Sequence, residues 1–241
     1  MVVDAGSVAK FAALLGEPTR AAMCLALMDG RSWTVAELAE HAGVARSTAS
    51  EHATALVESG LLAEERQGRH RYLRLADPDV AALVEDLTAA AGQPARPPSS
   101  LRGVRAARDL AAARTCYDHL AGALGVSLYD RLLANDLLDS SAGLALTAAG
   151  RDWFTDLAGE TALRRRGSRP LVRTCLDWTE RRHHLGGTLG VVLHHQLVER
   201  GWVIPSARHR AVAVTDAGAN ALHHLLGLDL RTEGTTERTV G

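Results

Sequence analysis

Between Thr34 and Leu75 the chain runs TVAELAEHAGVARSTASEHATALVESGLLAEERQGRHRYLRL, and few folds accommodate the order of signals it contains. Thr34 and Glu37 have capping-box spacing, in which the hydroxyl and the carboxylate each satisfy an orphan N–H of a helix's first turn. Val35, Leu38, Ala39 and Ala42 follow at helical spacing and give that helix one apolar face. Gly43 breaks it and allows a tight turn. A second helix, Arg46 to Ser59, turns Ala49, Ala53, Leu56 and Val57 inward. Its opposite, N-terminal face carries Arg46, Ser47, Thr48, Ser50 and Glu51, and Gly60 is a natural stop. Two strand-like runs then flank Gln67-Gly68, a hairpin signal with Arg66, Arg69, His70, Arg71 and Arg74 around its tip. Helix, tight turn, polar-faced helix and basic ribbon together predict a winged helix-turn-helix. Its second helix has the size to enter a major groove while the ribbon grips phosphate.

This stretch resembles the ArsR/SmtB family of bacterial repressors, and the resemblance covers residues 5–92. Ser50 and His52 match the family's Ser-x-His pair, and Gly60-Leu61 matches the Gly-Leu after the helix. Gly68, Arg69 and Tyr72 match the wing's Gly-Arg-x-x-Tyr. There are two departures. Glu51 stands where a basic or neutral residue suits DNA better, and Ala53 replaces the usual Leu, which predicts lighter packing there. The resemblance implies a homodimeric transcriptional repressor whose first and last head helices pair across a two-fold axis. Two heads then address the half-sites of a near-palindromic double-stranded operator. Ser47, Thr48, Ser50 and His52 are expected to approach bases. Arg46, Arg69 and Arg71 are expected on phosphates, with His70 beside them at the wing tip.

The family's usual metal sites are not matched. Its Glu-Leu-Cys-x-Cys is here Glu37-Leu38-Ala39-Glu40-His41, without a thiol, and residues 78–91 offer no histidine.

Length and charge extend the picture. A chain of 241 residues exceeds one average domain. The net charge of −1 does not advertise nucleic-acid binding, and residues 1–92 carry 8 basic against 13 acidic side chains. Docking therefore depends on local charge at the wing, and salt sensitivity is expected. An acidic winged helix that binds protein instead of DNA is the alternative from a different class. Three separated cysteines (Cys24, Cys116, Cys175) without a signal peptide in front fit a reduced, cytoplasmic compartment. No apolar run approaches 18 residues, so no membrane partner is expected. Cys24 sits among Met23, Leu25 and Leu27 and reads as a small core residue.

The domains expected are a head at 1–92, a Pro/Ser linker at 93–100 and a second domain at 101–241. The second domain repeats itself. DHLAGALGVSLYDRLL (118–133) answers HHLGGTLGVVLHHQLV (183–198), and LALTAAGRDWFTDL (144–157) answers VAVTDAGANALHHL (212–225). The repeats, 113–160 and 172–229, each predict a helix, a short strand pair and a helix capped by Thr147 or Thr215. The fold expected is therefore mainly α with short β-hairpins: a winged helix-turn-helix followed by tandem winged-helix-like helical repeats.

Both repeats open on Arg-Thr-Cys-x-Asp: Arg114 to Asp118 and Arg173 to Asp177. One reading is a pocket for a small organic effector at the repeat seam, with Arg114 or Arg182 as anion partner and Tyr117 and Trp178 as walls. A second makes Cys116, Cys175, His119 and His184 soft metal ligands, or the two thiols a redox pair. A third has the cysteines filling core gaps and the histidines bonding near Gly turns. No cofactor beyond that metal is implied. The adjacent pairs His194-His195 and His223-His224 point apart on helices. No Gly-x-Ser-x-Gly, P-loop, dinucleotide fingerprint or His-Glu-x-x-His occurs, and catalysis is not expected.

Overall fold

The computed structural model describes residues 4–68, 70–92, 101–164, 169–206 and 210–230. The expected linker at 93–100 and Arg69 lie outside the described residues. The chain is mainly helical with short antiparallel strand pairs. It divides into two compact units, Met1–Ala95 with Thr115–Asp118, and Arg96–Arg114 with His119–Gly241. Residues 115–118 lie within a hairpin whose strands pair with each other, and Arg114 at its start is bridged to Ala211.

In the head, α1 (Ala5–Leu15) begins at Asp4, whose carboxylate accepts the Gly6 N–H. Glu17 likewise accepts the N–H groups of Thr19 and Arg20 at the start of α2 (Pro18–Ala26). Pro18 suits that first turn because its missing N–H would have been an orphan there. The Arg20 guanidinium donates back to the carbonyls of Ala13 and Leu14, closing the end of α1. β1 (Trp33–Thr34) leads into α3 (Val35–Ala42), where the capping box is complete. The Glu37 N–H donates to Thr34 Oγ1 at 3.3 Å and the Thr34 N–H to Glu37 Oε2 at 2.7 Å. Gly43, in the left-handed region at φ 70°, makes the turn. α4 (Arg46–Glu58), β2 (Leu62–Gln67), β3 (His70–Leu75) and α5 (Pro78–Ala91) complete the head.

The head's sheet has the order β1-β3-β2, all antiparallel. Gln67 pairs with His70, so it belongs to the strand and not to the turn expected at Gln67-Gly68. Met23, Cys24, Leu38, Ala53, Leu56 and Leu73 form the centre of the core. Ala53, small as it is, is fully buried there.

The second unit begins with α6 (Leu101–Ala112), followed by β4 (Arg114–Cys116), β5 (His119–Ala121), α7 (Gly122–Ala134), β6 (Leu138–Asp139), β7 (Ala145–Leu146) and α8 (Ala148–Ala158). After a 3-10 turn come β8 (Arg173–Leu176), β9 (His183–Gly186), α9 (Gly187–Glu199), β10 (Val203–Pro205), β11 (Val212–Val214) and α10 (Asp216–Leu226). The order strand, strand, helix, strand, strand, helix thus occurs twice. Each run opens on a hairpin, β4-β5 or β8-β9, that the expected helix, strand pair and helix did not include.

Matching positions make matching interactions. Thr147 Oγ1 accepts the Gly150 N–H at 2.9 Å, and Thr215 Oγ1 accepts the Gly218 N–H at 3.0 Å. α7 packs on β9 while α9 packs on β5. One core results, in which Leu120, Leu124 and Leu128 meet Leu185, Leu189 and Leu193. Among the described residues no single helix is long and apolar enough to cross a membrane.

Candidate functional site

Two places in the chain gather the expected site residues. The first is the surface made by α4 and the wing. Ala49, Ala53 and Leu56 are the buried stripe of α4, which leaves Ser47, Glu51, Thr54 and Glu58 as its exposed stripe. Arg46 is also exposed, whereas Thr48, Ser50 and His52 are half-buried flanks. His52 lies one residue from buried Ala53, and its Nε2 is 3.6 Å from Glu17 Oε2 at the start of α2. That contact sets the ring beside the start of α2.

On the wing, Arg71 donates from Nε to Glu64 Oε2 and from Nη1 to Thr54 Oγ1 at 3.1 Å. Thr54 Oγ1 in turn donates to the Ser50 carbonyl at 3.0 Å. Wing and α4 are therefore joined by a side-chain bridge, Arg71 to Thr54. The hydrogen bond from Arg71 holds the Glu64 carboxyl below its usual range, with a further contribution from Arg66. Arg71 thus carries its own counter-ion, which the phosphate-contacting role has to accommodate. His70 is exposed at the strand end. Neither Thr54 nor Glu64 stood out in the sequence: one is a threonine inside a helix and the other a carboxylate on a strand.

The second place is a buried polar cluster in the second unit. Arg114 and Asp177 are both 0% exposed, and Arg114 Nη2 donates to Asp177 Oδ2 at 2.8 Å. Asp177 also accepts the Gly122 N–H at 2.6 Å, the Thr179 N–H at 2.9 Å, the Thr179 hydroxyl at 2.6 Å and the Glu180 N–H at 3.0 Å. Burial alone would raise its pKa. The Arg114 charge and the bonds from Thr179, Glu180 and Gly122 outweigh burial and hold the carboxyl well below the usual carboxylate range. The Arg114 guanidinium also lies 4.6 Å from the ring centre of Trp178. Asp177 is the counter-ion that Arg114 faces in this interior. Arg182, the other candidate anchor, pairs at the surface with Asp130 at 2.7 Å.

Beside this ion pair stand four further side chains. Cys175 on β8 is paired across the hairpin with His184 on β9. The His184 ring stacks on His119 of β5, with centroids 5.1 Å apart and planes at 29°. Cys116 ends β4, three residues before His119 in the same hairpin. One donor atom from each of Cys116, His119, Cys175 and His184 lies within 4.8 Å of every other. All three cysteines are buried and none is in a disulfide. The fold thus brings together Arg114, Cys116, His119, Cys175, Trp178 and His184. It does not bring Tyr117, which sits at φ 57° in the hairpin turn, nor Arg182. Asp177 was visible only as the last residue of the repeated Arg-Thr-Cys-x-Asp.

Comparison with known proteins adds four likenesses. A family model described as "Helix-turn-helix domain" matches residues 15–65. The HTH-type transcriptional regulator YdfF of Bacillus subtilis is 37% identical over 225 residues, spanning 93% of this chain and 99% of that protein. A probable mercury resistance operon repressor of Streptomyces lividans is 36% identical over 76 residues, 32% of this chain and 60% of that one. Among solved structures, the homodimeric winged helix-turn-helix DNA-binding domain Mb0332 of Mycobacterium bovis is 28% identical, covering 38% of this chain and 90% of its own, with a TM-score of 0.34.

Proposed function

The chain belongs to the helix-turn-helix transcriptional regulators, and from that premise we propose that it is a homodimeric repressor that docks α4 and the wing on an operator. The observation that carries this reading is the bridge from Arg71 to Thr54, which makes wing and helix one surface with Arg46 and Ser47 exposed at its leading end. In this pose Ser47, with Ser50 and Thr54 behind it, faces base edges. Arg46 and Arg71 face phosphates. The acidic residues Glu51 and Glu58 lie on the same exposed stripe and limit close approach to the first turns of α4.

Dimerisation is supported by the head's terminal helices. α1 has no buried residue, and it exposes Val8 (56%) and Phe11 (38%), while α5 exposes Leu87 (47%). A second copy covering these apolar side chains would remove them from water and set two heads at half-site spacing. The second unit is the effector-responsive part in this reading. An effector releases DNA only if it favours a head arrangement that no longer fits the operator.

Gel-shift titration against the DNA upstream of its own gene, at several salt concentrations, tests the proposal. The expected result is binding that weakens steeply with salt, and a shallower slope for Arg46→Ala. No binding at any salt would overturn it and favour the protein-binding winged helix that the head's acidic balance allows.

A further inference from the structure

We propose that Cys116, His119, Cys175 and His184, carried by the β4-β5 and β8-β9 hairpins, form a tetrahedral site for a zinc-type divalent cation. The proposal stands apart from the DNA-binding reading and survives its failure.

The donor set is the first argument. Two thiols and two imidazoles are a closed Cys2His2 complement, the kind that holds structural zinc and leaves no open position. A tetrahedral ion at ordinary bond lengths places such donors about 3.3–3.8 Å apart. Here they are within 4.8 Å of one another, so a contraction of about 1 Å completes the geometry.

His184 is the second argument. It is fully buried, and neither ring nitrogen has a hydrogen-bond partner. A buried imidazole without partners is costly, and a metal bond is one of the few things that resolves it. Its Nδ1 is 3.7 Å from Asp177 Oδ2, too long for a hydrogen bond but on the carboxylate side. That leaves Nε2 for the ion and Asp177 as the group that orients the ring, the usual second partner of a metal-bound histidine.

Charge and space agree. Zinc with two thiolates and two neutral imidazoles has no net charge, so filling the site adds no uncompensated charge to an interior where Asp177 is already balanced by Arg114. Binding converts two thiols to thiolates and releases two protons, with no change of oxidation state. Glycine lets α9 sit close to β9 beside the rings: a methyl group on Gly190 would run into the Leu185 carbonyl and lie 3.2 Å from His119 Cβ. The ligands come as one Cys-His pair from each repeat, so an ion would tie the two hairpins together.

Cobalt(II) titration of the full-length, reduced, untagged protein tests this, with zinc added afterwards as competitor. The expected result is one cobalt per chain, visible d–d bands of tetrahedral intensity and a near-ultraviolet thiolate-to-cobalt charge-transfer band, all erased by zinc. Release of about two protons per ion should accompany uptake. Cys175→Ala should remove most of the charge-transfer intensity, while Cys24→Ala should leave it unchanged. The wild-type spectrum alone decides the matter even if a variant fails to fold. Absence of the charge-transfer band in reduced wild-type protein would overturn the proposal. So would uptake that persists in folded Cys175→Ala protein with its charge-transfer band intact.

Discussion

Replacing Arg114 with leucine would leave the Asp177 carboxylate in the interior with its hydrogen bonds but without its counter-charge. Four donors remain on that carboxylate, from Gly122, Thr179 and Glu180. These are dipoles, and they do not cancel a full negative charge in a place where both partners are 0% exposed. Breaking a buried pair from one side costs about 3–5 kcal/mol, since the abandoned charge keeps its desolvation penalty. The loss of the guanidinium over Trp178 adds to it. For a unit of this size the midpoint of thermal unfolding should fall on the order of 10–20 °C. Urea denaturation followed by circular dichroism reads the free energy directly. The double variant Arg114→Leu/Asp177→Asn removes the stranded charge while keeping an acceptor for the backbone donors, so it should regain part of the loss. A coupling of about 1–3 kcal/mol between the two sites is expected. A loss below about 1 kcal/mol in Arg114→Leu, or strict additivity in the cycle, would refute the claim that this pair is desolvated and mutually dependent.

Glu64→Gln should free Arg71 for phosphate, tighten operator binding at low salt and steepen the salt dependence by about one unit of slope in a log–log plot; an unchanged slope would show that Arg71 stays off the DNA. Cys24 is fully buried, and burial pushes its thiol up to about 11. The unfolded chain loses that proton at lower pH than the folded one, so the stability it confers is complete below about pH 9 and lost as pH rises towards 11. Cys24→Ala should flatten the pH–stability curve by about 2–3 kcal/mol across that window, measurable by denaturant titration at each pH. Gly218→Ala would set a methyl against the Trp202 carbonyl, which already accepts the Thr215 N–H. The chain there has to move, at about 3 kcal/mol, and Gly150→Ala should behave alike at the Leu137 carbonyl; wild-type urea midpoints in both would show that the two turns are looser than they look.

How much of this could be read from the chain alone depends on how far apart the interacting residues are. Thr34 and Glu37, Thr147 and Gly150, and Thr215 and Gly218 interact within a single helical turn, so residue type and spacing announce them. The same holds for the hairpin of the wing, though its register came out one residue from the expected turn because residue type alone does not say which pair closes the ladder. The three-residue strands β4 and β5 are too short to show alternation, and Tyr117-Asp118 between them carries no Gly or Asn turn signal. Arg114 and Asp177 are 63 residues apart, and His52 and Glu17 are 35 apart. Composition suggested that Cys116, His119, Cys175 and His184 could act together. Packing of α7 on β9 and of α9 on β5 decided that they stand within 4.8 Å. Local backbone chemistry is written in neighbouring residues, whereas the meeting of distant side chains is settled only when the core closes, because nothing in either segment by itself specifies the other's position.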